Sequence, residues 1–230
     1  LLCIAVIGIP IMMAEVMLGR RGRRSPVNTM RELAAEAGAS RHWQWLGWAG
    51  MLAGFFILSY YSVIAGWALA YVFRSAGGMF SGATAEGVSA IFDRLVGDPE
   101  RLVAWHTLFM VMTMLVVARG VRSGLERAVR FLVPALFVLL IMLDGYALAS
   151  GAFDQGLEFL FTPDFSKISA NGVLIAMGHA FFTLSLGMGA IMVYGSYLPD
   201  RASIARTSVT IALLDTPGAM PAGLAILPIV

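Results

Sequence analysis

Of the chain's 230 residues, 59% are hydrophobic and 13% charged, with a mean hydropathy of +0.80. Soluble domains are about half apolar and about a quarter charged, so a soluble globular protein is excluded. A formal net charge of +2 says little about partners, and the single cysteine, Cys3, excludes an intrachain disulfide framework.

Six apolar runs predict an all-α polytopic membrane protein, since a spanning helix needs ~20 residues. They cover residues 1–18, 44–73, 102–118, 128–149, 173–197 and 207–230. The chain starts and stops inside apolar runs, without an initiator Met or a signal-like segment. This predicts an internal piece of a longer protein, a single transmembrane domain missing helices of its own full-length chain.

The first run carries Glu15, one turn before Arg20, where snorkelling or pairing to a helix end is the cheaper reading. An Arg-rich loop follows, with Arg20, Arg21, Arg23, Arg24, Arg31 and Arg41. The second run, "ILSYYSVIAGW" over 57–67, places Tyr60 and Tyr61 near mid-span. Tyrosines usually gather at the interfaces, so a mid-span hydroxyl needs a neighbouring helix or a ligand carboxylate as partner. A Gly/Ser-rich and then acidic loop leads to the third run. The next loop holds Arg119, Arg122, Arg127 and Arg130. Pro134 in the fourth run predicts a kink, and Asp144 lies near that run's outer end. In the loop over 150–170, Thr162-Pro163-Asp164 reads as a turn or a short helix start.

The fifth run contains "HAFFTLSLGMGA", 179–190, with Thr183, Ser185, Gly187 and Gly189 near its centre. Two readings stand. Ser185 and Gly189 form a small-xxx-small packing pattern. Alternatively the helix is broken, because glycine weakens a helix by about 1 kcal/mol relative to alanine and freed backbone groups at that depth must line a cavity or bind something. His179 is expected to face another helix. The sixth run carries Asp215, costly in an apolar span and therefore a candidate partner for a sodium ion or a proton. Pro217 and Pro221 follow it and predict a kink.

Counting Lys and Arg by alternate loops gives twelve against four, which places the Arg-rich loops in the cytoplasm of a multi-pass protein. The arginines are read as topogenic. No metalloenzyme spacing, nucleotide-binding glycine loop or Ser/His/Asp motif is present, so no enzyme is expected. The basic loops lack the aromatics or fold of a nucleic-acid binder, and no nucleic-acid partner is expected.

"GIPIMMAEVMLGR", "ILSYYSVIAGW", "GLEFLFTPDFSKI" and "FFTLSLGMGAIMVYGSY" together resemble successive segments of the neurotransmitter:sodium symporter family. The resemblance covers nearly the whole chain. It implies helices two to seven of a roughly twelve-helix protein, part of a 5+5 inverted-repeat fold with a broken sixth helix. It implies sodium-coupled symport of an amino acid, hydrophobic in character, across the cell membrane by alternating access. Sodium and the amino acid are then the partners, besides the lipid bilayer, with no organic cofactor. The alternative is a proton-coupled carrier or channel of related fold.

The resemblance also assigns residues. Tyr61 donates to the substrate carboxylate and Phe182 closes over the substrate. Ile57, Phe182, Thr183, Ser185 and Met188 shape the pocket, and the adaptable Met188 suits larger apolar or aromatic side chains. Thr183 and Asp215 bind sodium. The helix unwinds around Thr183–Met188, with Gly187 and Gly189 in the break. Gly124 and Pro134 enclose nine residues, a spacing that resembles a fifth-helix hinge in the family. Asp215 stands where many members carry Asn, and a fixed carboxylate there predicts that chloride is not required.

Overall fold

The computed structural model describes residues 2–149, 156–158, 162 and 169–226. The expected turn at Thr162-Pro163-Asp164 lies largely outside the described residues. The chain has an all-α polytopic membrane fold, and no strand occurs among the described residues. The helices are α1 (Ile9–Gly22), α2 (Pro26–Glu36), α3 (Gln44–Ala76), α4 (Ala85–Val96), α5 (Pro99–Val117), α6 (Glu126–Ala149), α7 (Ala170–Thr183), α8 (Ala190–Ser196) and α9 (Ile204–Ile226). Three stretches among the described residues are long and apolar enough to cross a membrane: Arg41–Ala76, Pro99–Val117 and Ser123–Ala149. The fifth expected span is two helices, the first of them 14 residues long.

Contacts divide the chain into one unit of residues 1–54 with 136–230 and another of 55–135. In the first unit, a π-helical turn at Ile4–Gly8 leads into α1, with Pro10 just inside it. Proline lacks the N–H that an α-turn would use, and the wider turn just before it absorbs that defect. Gly8 closes the turn; a Cβ there would lie 2.7 Å from Leu184 Cδ1. The core gathers Met12 and Val16 of α1, Leu184 and Leu186, Ile191 of α8 and Ala212 of α9.

α1 and α8 meet backbone to backbone. A Cβ on Gly19 would collide with the Met192 carbonyl oxygen, and one on Gly195 would lie 2.7 Å from the Val16 carbonyl oxygen. Each helix thus presents its glycine to the other's main chain. The Arg-rich end adds ties of its own. Arg23 pairs with Asp200 at 2.6 Å and Arg20 donates to the Ala202 carbonyl at 2.6 Å, joining the end of α1 to the turn after α8. Arg21 pairs with Glu36 and Arg24 with Glu32. Exposed pairs of this kind contribute ~0–1 kcal/mol each, so glycine packing carries the interface. α9 runs through Pro217 and Pro221 as one helix.

In the second unit, α4 buries Ile91 and Leu95, and Thr84 caps it by accepting from the Gly87 N–H at 3.2 Å. Trp67 and Tyr71 of α3 pack their rings against Phe92 and Phe80. Arg74 donates to the Ile91 carbonyl, so this arginine has a structural role besides any topogenic one. Gly66 lets α5 approach α3, its would-be Cβ lying 3.0 Å from the His106 nitrogen. Gly124 sits in a second π-helical turn, Val121–Leu125, and a Cβ there would collide with the Val116 carbonyl oxygen. Pro134 lies inside α6, and the residues between it and Gly124 are helical.

Candidate functional site

α7 ends at Thr183 and α8 starts at Ala190, so Leu184–Gly189 form a break inside the fifth apolar run. The break is closed by a specific cap. The Leu186 N–H donates to the Phe181 carbonyl at 2.9 Å and the Ser185 N–H to the Phe182 carbonyl at 3.1 Å. This 6→1 and 5→2 pair is a Schellman motif, with Ser185 in the left-handed position that glycine usually fills. Ser185 has φ +54. Gly187 at φ +79 and Gly189 at φ +75 continue the turn without a Cβ penalty.

Burial alternates along the break. Leu184 and Leu186 are buried in the core while Ser185 is half-buried and Gly187 exposed. The two leucines anchor a backbone that has left the helix. Ser185→Gly should therefore raise the melting temperature of the full-length protein, because a left-handed L-residue costs ~1–2 kcal/mol that glycine avoids. Ser185→Ala keeps the Cβ and should give no gain; a rise as large as that of glycine would refute the strain.

The break brings polar groups together. Thr183 Oγ1 donates to the Asp215 carboxylate, 3.1 Å from Oδ1 and 3.0 Å from Oδ2. Both residues are half-buried. Among the described residues no backbone N–H donates to the carbonyls of Thr183 through Met188. A hydroxyl, a carboxylate and several carbonyls therefore stand at the end of α7, a hard-oxygen set suited to an alkali cation. Among the described residues no three His, Cys, Asp or Glu side chains converge to hold a metal of another kind.

Glu15, read from the sequence as snorkelling or pairing to a helix end, takes a partner here that the sequence left unnamed. Its Oε1 accepts from the Gly187 N–H at 2.7 Å, and its Oε2 is buried without a partner among the described residues. The carboxylate does not snorkel towards Arg20; it holds a freed amide of the break. Gly50 of α3 packs on the other side, where a Cβ would lie 3.2 Å from the Gly187 carbonyl oxygen and 3.2 Å from the Gly189 nitrogen. A Cβ on Gly189 would lie 3.0 Å from Pro26 Cγ at the start of α2. The one available signal for this packing was the run Gly47, Gly50, Gly54 in α3, a small-residue stripe on a helix otherwise rich in aromatics.

The expected site residues fall into two groups. Thr183, Ser185, Met188, Gly187, Gly189, Phe182 and Asp215 belong to the first unit, around the break. Phe182 is 41% exposed and Met188 half-buried. Ile57 and Tyr61 lie one turn apart on the same face of α3 within the second unit, where Tyr61 also meets Tyr60 edge to face at 5.8 Å. Gly124 and Pro134 belong to that unit too. His179, expected against another helix, is exposed. The helical register explains this: Ala180 is the buried position at that level of α7, and its neighbour in sequence points about 100° away. A groove of about 530 Å³ between α3 and α5 is lined by residues such as Phe55, Ser62 and His106 and by none of the expected site residues.

Comparison with known proteins places this geometry in context. The sequence model of the sodium:neurotransmitter symporter family matches residues 1–85 and 94–230. An uncharacterized sodium-dependent transporter of Bacillus subtilis (strain 168), YhdH, is 36% identical over 98% of this chain and 49% of its own. An uncharacterized sodium-dependent transporter of Haemophilus influenzae is 33% identical over 99% of this chain and 52% of its own. The crystal structure of MhsT in complex with L-phenylalanine superposes with a TM-score of 0.87 at 44% identity, covering 98% of this chain and 50% of that one. The chain thus spans about half the length of the relatives it matches.

Proposed function

The chain belongs to the sodium:neurotransmitter symporter family, a family of transporters and not of enzymes, and from that premise we propose that it forms the broken-helix half of a sodium-coupled amino-acid symporter. The observation that carries the reading is the meeting of Thr183 Oγ1 with both carboxylate oxygens of Asp215, beside carbonyls that have lost their helical donors. Sodium is a transported co-substrate here. Thr183 and Asp215 supply it with oxygen ligands, and the Thr183 hydroxyl turns its proton away from Asp215 to do so. The carboxylate balances the ion's charge, so chloride is not required.

The substrate is an amino acid with a large apolar or aromatic side chain. Tyr61 donates to its carboxylate, and Ile57, Phe182, Ser185 and Met188 surround the side chain. The support is chemical: the residues around the break are apolar and adaptable, and MhsT, 44% identical, is known in complex with L-phenylalanine. Sodium that orders the break also orders the substrate's contacts, and the linkage is reciprocal. Alternating access follows as the two half-helices α7 and α8 change their relation at Gly187 and Gly189. Gly124 and Pro134 bound a second hinge, supported by the π-helical turn at one end and by the missing proline N–H at the other. The site of action is the cell membrane, with other helices of the full-length chain completing both ion and substrate sites.

The decisive experiment is a binding scan of the amino acids against the full-length protein in sodium and in potassium. Aromatic and large aliphatic amino acids should bind in sodium at least about tenfold more tightly than in potassium, a coupling inside the usual allosteric range. Equal binding in both salts would overturn sodium coupling and favour a proton-coupled carrier.

A further inference from the structure

The start of α3 carries a feature outside the residues assigned to the transport site. A 3₁₀ turn at Arg41–Trp43, capped by Ser40 Oγ accepting from the His42 N–H at 3.3 Å, leads directly into the helix. Three tryptophans fall within six positions, one ending the turn and two in the helix, and all are about half exposed: Trp43 at 54%, Trp45 at 62% and Trp48 at 49%. A groove of about 400 Å³ opens among Ser40, His42, Trp43, Trp45, Leu46 and Ala49. His42, Trp45, Leu46 and Ala49 are spaced i, i+3, i+4, i+7 and so share one helix face. Gly47 and Gly50, which pack on α2 and on the break, lie on another face. The groove therefore looks away from the transport machinery.

We propose that this groove binds an anionic phospholipid of the cytoplasmic leaflet, with the phosphate on Ser40 and His42 of the groove and on the neighbouring Arg41 beside it, and the upper acyl chain on Trp45, Leu46 and Ala49. Three observations favour this occupant. The first is charge. Arg20, Arg21, Arg23 and Arg24 are all engaged by neighbouring carboxylates or carbonyls. The Arg41 guanidinium is exposed and has no hydrogen-bond or ion-pair partner among the described residues. A planar guanidinium matches a phosphate with paired donors.

The second is the order of polarity. From Arg41 to Ala49 the helix climbs about 12 Å. Along it the side chains change from cation and hydroxyl, through indoles, to alkyl groups. Phosphate, glycerol ester and acyl chain follow the same order, and indoles favour the ester level between them. A free anion would need only the first part, and a soluble protein partner has no reason to follow the gradient.

The third is topology. The arginine distribution puts this end of α3 in the cytoplasm, the leaflet whose anionic lipids attract juxtamembrane cations.

The test is native mass spectrometry of the full-length protein released from detergent. Phosphatidylglycerol and phosphatidylcholine of identical chains are titrated separately, with and without inorganic phosphate. Wild type should retain phosphatidylglycerol about fivefold over phosphatidylcholine, and Arg41→Gln with Trp45→Ala should bring the two lipids within about twofold. Trp48→Leu removes an exposed indole outside the groove and should keep the wild-type preference. The proposal is overturned if the double variant keeps the preference, or if Trp48→Leu loses it equally, which would mean a general aromatic belt. Displacement of phosphatidylglycerol by equimolar inorganic phosphate would also overturn it, since the site would then read only a free anion. All three side chains are exposed in this half of the protein, and an unchanged melting temperature of each full-length variant shows that the fold does not depend on them.

Discussion

Asp215→Asn should weaken the apparent sodium affinity of the full-length transporter by about ten- to a hundredfold and make its remaining uptake respond to chloride. Two unit charges 4 Å apart interact by about 4 kcal/mol at the effective dielectric of a protein surface, and a tenfold change in affinity is about 1.4 kcal/mol. Asp215 is half-buried, so water screens part of the gain, and the lower end of the Coulomb figure applies. The asparagine keeps an oxygen beside Thr183 Oγ1 and so preserves the ligand while removing the charge. An added anion can then restore what the carboxylate supplied. Thr183→Val does the reverse: it removes the hydroxyl and leaves the charge. It should weaken sodium without creating a chloride response. Uptake measured in chloride and in gluconate separates the cases. Wild-type uptake that is substantially higher in chloride, or an Asp215→Asn protein with unaltered sodium affinity, would sink the assignment.

The second large effect is on stability. Gly19→Ala or Gly195→Ala should lower the melting temperature more than any exposed substitution, and the leucine variants should fail to yield folded protein. At both positions the added Cβ meets main chain of the facing helix: Met192 for Gly19, Val16 for Gly195. A flexible side chain could swing aside, but backbone cannot. The helices must separate, and overpacking of this kind costs about 1–3 kcal/mol or more. The two alanines act on one interface, so their effects should not add. Gly145 and Gly178 are the contrast, each inside a helix with nothing within 4 Å of a would-be Cβ. Alanine at those two positions should be neutral or stabilising by up to about 1 kcal/mol, from helix propensity alone. Thermal unfolding of the purified full-length variants gives the comparison. Equal tolerance at all four glycines would remove the case for a backbone-packed α1–α8 contact.

Much of the site's chemistry could be read from residue types. A threonine, a serine and two glycines inside one apolar run, with an aspartate in the next, could each be singled out because polar groups at membrane depth are costly. Sequence also left packing and breakage as competing readings of Ser185 and Gly189. The structure contains both: Ser185 caps the end of α7, and Gly189 is in tight contact with Pro26. Glu15 stands out in the sequence, but only as a group that snorkels or pairs to a helix end, with its partner unnamed. Its partner, the Gly187 amide, is 172 positions away, and no local rule reports a pairing at that separation.

The sequence by itself determined that this is an all-helical membrane protein, roughly where its helices run, and which polar residues needed partners. Those properties follow from composition and local periodicity, which act over one helix at a time. Only the tertiary structure decided which partners they take. Leu184 and Leu186 must reach a core built from α1, α8 and α9, and that requirement fixes where α7 stops. Once it stops there, Thr183 faces Asp215, Gly187 offers its amide to Glu15, and the break comes within 3.2 Å of where a Gly50 Cβ would stand. The energy that sets these contacts comes from burying apolar groups against distant helices, so it has no signature in any single stretch of the chain.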